Sequence, residues 1–333
     1  LNAKERLIKV LKGEKVDRPP VICPGGMMNA AVTEVLEDIS GNHNKDANPM
    51  AEAAKKVYDL TGFENYGVPF CLTVEAEPLG VEIDLGSKLV EPLVSKYNES
   101  SVKEIIERYN IHTTSADRMP EVINAIKKLK NDEVPVIGNI TGVFSTASSV
   151  IDPLKLLKML RKDPKQAHEF LEFVNKYTID YAECMIDAGA DVIAVSDPTA
   201  TGEILGTKSF NEFIVPLFKE FIDRVHAKGV PVIVHICGNA NNIIESLNEI
   251  GADALSFDSI VSMKVTRNIV KTGLMGNVST HVLNFGSKEK IEGLTKTCIN
   301  AGVNIVSPAC GLGMSTPIEN LKIMTDYVKK GQY

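Results

Sequence analysis

Three side chains in this sequence carry donor atoms suited to a metal ion. His235-Ile236-Cys237-Gly238 ends the β-branched run Pro231-Val232-Ile233-Val234-His235. Residues i and i+2 of a strand point the same way, so this imidazole and thiol project together. Cys310, in Ser307-Pro308-Ala309-Cys310-Gly311, ends a later run of the same kind. One histidine with two cysteines is a three-ligand set for Zn²⁺. Three protein ligands with one open position is the catalytic rather than the structural pattern. Cys23 and Cys71 also fall near the ends of runs, so other ligand sets stay open. Cys184 and Cys298 lie in helical patterns and read as packing. A His-rich or carboxylate-rich zinc site acidifies bound water for hydrolysis. A thiolate-rich site suits a substrate thiol instead, binding it as thiolate while leaving it nucleophilic. Two Cys and one His favour the second use.

These residues need a scaffold that aims strand ends at one place. Eight short runs are nearly continuous in apolar character: 20–23, 65–68, 134–138, 191–195, 231–235, 254–257, 274–277 and 304–307. That is how strands buried on both faces of a parallel sheet read. Helical patterns lie between them, at 49–60, 164–188, 210–227, 240–250, 288–301 and 318–330. Gly189, Gly229, Gly251, Gly273 and Gly302 stand where such helices close with a left-handed residue. Eight strand-then-helix units predict an α/β fold, a (β/α)₈ TIM barrel forming one domain over residues 1–333. An open doubly wound sheet is the rival. The gap from Gly67 to Val134 holds an insertion between the second and third strands, with a small hairpin at 81–85 and 89–94.

The 333 residues are 44% hydrophobic and 24% charged, an ordinary globular balance that excludes wholesale disorder. Lys and Arg number 36 against 43 Asp and Glu, a net charge of −7. Such a chain has no general attraction for nucleic acid or an anionic membrane. No apolar run approaches the roughly 20 residues that span a bilayer. The N-terminus has neither an apolar signal core nor a Met, so the chain is expected to begin inside a slightly longer reading frame. Six sparse cysteines with no export signal read as reduced, cytoplasmic thiols rather than a disulfide scaffold.

Strand-end carboxylates facing a barrel mouth act as acids, bases or partners of a ligating His. Asp197 is expected in such a catalytic role, with helix capping as its bland alternative. Asp258 stands evenly between the two. Glu77 is a candidate fourth metal ligand. Asn277, Ser279 and the backbone N–H groups of Gly25 and Gly26 are candidate donors to an anionic tail on the substrate thiol. His43, His112, His168 and His226 read as surface or helix positions.

Val230–Gly238 and Ser307–Pro317 resemble the zinc motif of the methylcobamide:coenzyme M methyltransferases of the uroporphyrinogen decarboxylase superfamily. Residues 69–77, 188–194 and 274–279 look similar too, and the likeness spans essentially the whole chain. The resemblance implies a (β/α)₈ barrel with zinc held by His235, Cys237 and Cys310. It also implies methyl transfer from a separate methylated corrinoid protein to a thiol, most simply coenzyme M. Homocysteine or a folate as acceptor, and a non-catalytic barrel that binds metal or corrinoid protein, are the alternatives. The decarboxylase branch carries an arginine motif after the first strand, but this chain has Cys23-Pro24-Gly25-Gly26-Met27-Met28. Its catalytic acid aligns near Phe70-Cys71-Leu72, where no acid stands. Decarboxylation is therefore not expected. The corrinoid carriers' D-x-H-x-x-G motif is broken by Ile233, so the chain reads as the carrier's partner.

Overall fold

The computed structural model describes residues 1–25, 31–109 and 116–331. Seven parallel strands form one curled sheet: β1 (Tyr66–Val68), β4 (Val136–Thr141), β5 (Val192–Ser196), β6 (Val232–Ile236), β7 (Ala254–Phe257), β8 (Gly273–Val278) and β9 (Ile305–Pro308), in that order. The insertion contains β2 (Glu82–Asp84) and β3 (Leu93–Lys96), an antiparallel hairpin. Its second strand lies further along the chain than the apolar pattern predicts. Every residue of β4, β5, β6, β7 and β9 is buried, which is why their Val and Ile runs do not alternate with polar residues.

The expected first strand, 20–23, is not a ladder strand. It fills the gap between β9 and β1 through a single parallel bridge, Val21 to Val306. Pro19, Pro20 and Pro24 lack N–H donors, so the segment cannot carry a continuous ladder. Its remaining groups are met largely by the side chains of Glu64 and Asn65, with the Glu64 N–H reaching the Val21 carbonyl. Asn65 accepts the Cys23 N–H at 2.9 Å and donates to the Cys23 carbonyl at 3.0 Å. The eight units thus close into the expected barrel, with one seam sewn by side chains.

A two-point clamp recurs at the N-terminal end of the barrel. Asp191 donates its N–H to the Val136 carbonyl, and its carboxylate accepts the Val136 N–H. Asp253 holds Val232 in the same way, and Asn304 holds Leu274. Glu64 does so to Val21. The four clamps fall on alternate seams. Each satisfies both backbone groups at the open end of a strand, where ladder partners run out.

Helices cover the outside. Pro164–Ala188 starts with Asp163 accepting the Gln166 N–H and ends at Gly189 in the left-handed region. Ile318–Lys330 matches its expected bounds. The 240–250 pattern yields only Ile244–Asn248 as α-helix, because the preceding residues form the turn leaving β6. Gly273 opens β8 rather than closing a helix, since the short helix Met263–Thr266 has already ended. No helix among the described residues is long and apolar enough to cross a membrane.

Candidate metal centre

His235 and Cys237 arise at the C-terminal end of β6, and Cys310 two residues beyond β9. β7 and β8 lie between, so the three side chains meet across the mouth of the barrel. Their donor atoms all lie within 4.8 Å of one another. His235 Nε2 is 3.2 Å from Cys237 Sγ. The sulfurs of Cys237 and Cys310 are in disulfide contact, with Cα atoms 6.4 Å apart. A metal needs both as thiolates, hence the pair reduced. Once the two sulfurs part as thiolates, one imidazole and two thiolates form a donor set that suits zinc, whose bonds to nitrogen and sulfur are about 2.0–2.3 Å. Burial pushes the His235 imidazole down to about 4 despite the nearby Asp258 charge, so it is neutral at physiological pH, as a ligand must be. Gly238, at φ +65°, turns the chain directly after Cys237.

β7 supports this corner. Ser256 is the cross-strand partner of His235, and its Oγ stands 2.9 Å from His235 Nδ1. Asp258 accepts the Gly238 N–H at 3.2 Å, tying down the turn after Cys237. Sequence patterning points to neither contact for Ser256, because only the β6–β7 register puts it opposite His235.

The other expected site residues have different partners. Asp197 is fully buried, and burial pushes its carboxyl up to about 6 against the hydrogen bonds it accepts. Those come from the Phe144 N–H at 3.0 Å, the Ser145 N–H at 2.8 Å and the Ser145 hydroxyl at 2.6 Å. It therefore caps the helix Val143–Val150, the bland alternative, although that helix follows a neighbouring strand. Asn277 donates both amide hydrogens inward, to the carbonyls of Asp258 and Val261 at 2.9 Å each. Ser279 caps the helix Thr280–Phe285. Gly25, at φ +103°, packs so closely that a Cβ would lie 2.7 Å from Asn139 Nδ2. Gly26 and His112 lie outside the described residues.

Glu77 stands outside the His235–Cys237–Cys310 cluster and pairs with Arg118 at 2.6 Å. Arg118 is a buried cation that motif reading passes over. It also donates to Thr73 Oγ1 at 2.9 Å, to Cys71 Sγ at 3.5 Å and to the Asn44 carbonyl at 3.0 Å. Cys71 is thus engaged away from the cluster. Glu75, also buried, accepts the Thr141 N–H and hydroxyl at 2.8 Å each. His43 is buried beside Phe70 rather than at the surface.

The barrel with a His-Cys-Cys corner at its mouth defines the class, and comparison with known proteins agrees. The chain belongs to the uroporphyrinogen decarboxylase (URO-D) family, which matches residues 2–331. Within that family it is a methyltransferase. It is 30% identical to methylcobamide:CoM methyltransferase MtbA of Methanosarcina mazei, over 99% of this chain and 98% of the relative. It is 29% identical to methylcobamide:CoM methyltransferase MtaA of Methanosarcina barkeri, over 96% of each. A solved methyltransferase from Methanosarcina mazei superposes with a TM-score of 0.90 at 28% identity, covering all of both chains.

Proposed function

We propose that this enzyme transfers a methyl group from a methylated corrinoid protein to a small thiol, coenzyme M first, at a zinc held by His235, Cys237 and Cys310. The carrying observation is that these donors, two sulfurs and one nitrogen, lie within 4.8 Å at the barrel mouth. The names of the relatives, which specify methylcobamide and CoM, support the donor and the acceptor. Zinc bound there would favour the acceptor's thiolate at neutral pH, with the two cysteine ligands keeping it electron-rich.

The chain's own residues bind and orient. His235 presents a neutral nitrogen, and Asp258 fixes the turn that carries Cys237. Asp197 acts as a positioning residue by fixing the start of the helix Val143–Val150 beside the mouth. The methyl donor must approach a buried corner, so docking of the carrier supplies the alignment that turns an encounter into an in-line attack. As the carbon–sulfur bond forms, the electron pair of the carbon–cobalt bond stays with the corrinoid.

The test is an anaerobic assay of methyl transfer from methylcobalamin, or from a methylated corrinoid protein, to coenzyme M. Activity should vanish on zinc removal, return on zinc addition and be greater with the protein donor. Uroporphyrinogen should not be decarboxylated. Porphyrinogen turnover by the metal-free protein overturns the proposal.

A further inference from the structure

We propose that Ser256 is a positioning residue that decides which nitrogen of His235 faces the metal. The inference rests on the metal reading above and deepens it. A neutral imidazole carries one N–H, and only its other nitrogen has a lone pair to give. In this structure Nδ1 faces Ser256 Oγ at 2.9 Å and Nε2 faces Cys237 Sγ at 3.2 Å. If Nε2 carried the hydrogen, it would point at the sulfur and no lone pair would face the site. With the hydrogen on Nδ1, the ring donates to Ser256 Oγ and Nε2 is free to bind the ion.

Both residues sit in the barrel wall, at 3% and 0% exposure, so water has little room to replace the hydroxyl. They are paired in the β6–β7 ladder, which fixes the separation of their backbones. No other hydrogen bond of Ser256 Oγ is seen among the described residues. A hydroxyl can donate or accept, and once Nε2 binds the ion only acceptance from the Nδ1–H is left to it. Outer partners of this kind change metal affinity by about 10–100-fold when removed.

The experiment is a double-mutant cycle on the full-length, reduced protein. Zn²⁺ affinity is measured by competition with a chromophoric chelator for wild type, Ser256→Ala, His235→Ala and the double variant. Circular dichroism of each metal-free form reports the fold. The expected result is a loss of about 10–100-fold for Ser256→Ala that shrinks to twofold or less in the His235→Ala background. Wild-type affinity in Ser256→Ala overturns the inference and leaves the metal site standing. An equal loss in both backgrounds also overturns it, since the hydroxyl would then act on the fold and not through the imidazole. A wild-type protein that binds no Zn²⁺ overturns the metal reading, and this inference with it.

Discussion

Glu64 holds both backbone groups of Val21: its N–H donates to the Val21 carbonyl at 2.8 Å, and its carboxylate accepts the Val21 N–H at 3.0 Å. The same carboxylate receives two hydrogen bonds from Arg18, at 2.7 and 2.8 Å, and one from Arg6 at 3.0 Å. This buried ion cluster closes the barrel where prolines deny it a ladder. Removing one partner of a buried ionic group strands the other, at about 3–5 kcal/mol. Glu64→Gln should therefore lower unfolding stability by about that amount in urea titrations, while a metal site at the opposite end keeps its affinity.

The same cluster sets an acid limit. Burial pushes the Glu64 carboxyl up, but Arg18, the Val21 N–H and Arg6 outweigh it and hold it below its ordinary 4.5. A depressed carboxyl contributes stability that is complete above the unfolded value and lost as pH falls through the folded one. Stability should be insensitive to this group above pH 4.5 and decline below it. Glu64→Gln should flatten that part of the decline in pH-dependent denaturant curves.

Asp197 tests capping against chemistry. Asp197→Asn keeps the shape but turns one acceptor into a donor facing the Phe144 or Ser145 N–H. The cost should be about 1–3 kcal/mol in chemical denaturation. Below its transition temperature the variant should transfer methyl groups within about tenfold of wild type, a factor of ten being about 1.4 kcal/mol of barrel-mouth distortion. A far larger fall in kcat without loss of stability would return Asp197 to the reaction itself.

The ligand assignment predicts about one zinc per chain in the reduced protein. His235→Ala, Cys237→Ala and Cys310→Ala should each lose most of it by metal analysis while keeping their circular dichroism, because each trims a side chain at the mouth end of the barrel and leaves the ladder backbone unchanged. Full occupancy in Cys310→Ala would remove that residue from the site.

Acceptor binding should release about one proton per site near neutral pH, since a thiol that binds zinc as thiolate gives up its proton. Calorimetry in buffers of different ionisation enthalpy measures this. A count of zero for a thiol that does bind argues against direct ligation.

Local sequence was enough for what depends on local physics. Runs of Val and Ile bounded by turn residues give the seven ladder strands to within a residue or three, and His-x-Cys declares its shared direction from strand geometry alone. Cys310 ends a later run of the same kind, which puts it at the same end of the barrel. Sequence position could not decide polar partners, because hydrogen bonds at strand ends run across seams between residues far apart in the chain. Asp197 looked like a reactive strand-end acid, yet its oxygens are claimed by Phe144 and Ser145, 53 and 52 positions away. Glu77 looked like a spare ligand until Arg118 folded over it from 41 positions away. Asn277 looked like a donor to substrate, yet its amide bridges the loop that follows β7. Ser256 carried no signal at all, because its meaning comes from register: one residue's slip of β7 against β6 would turn its hydroxyl away from His235.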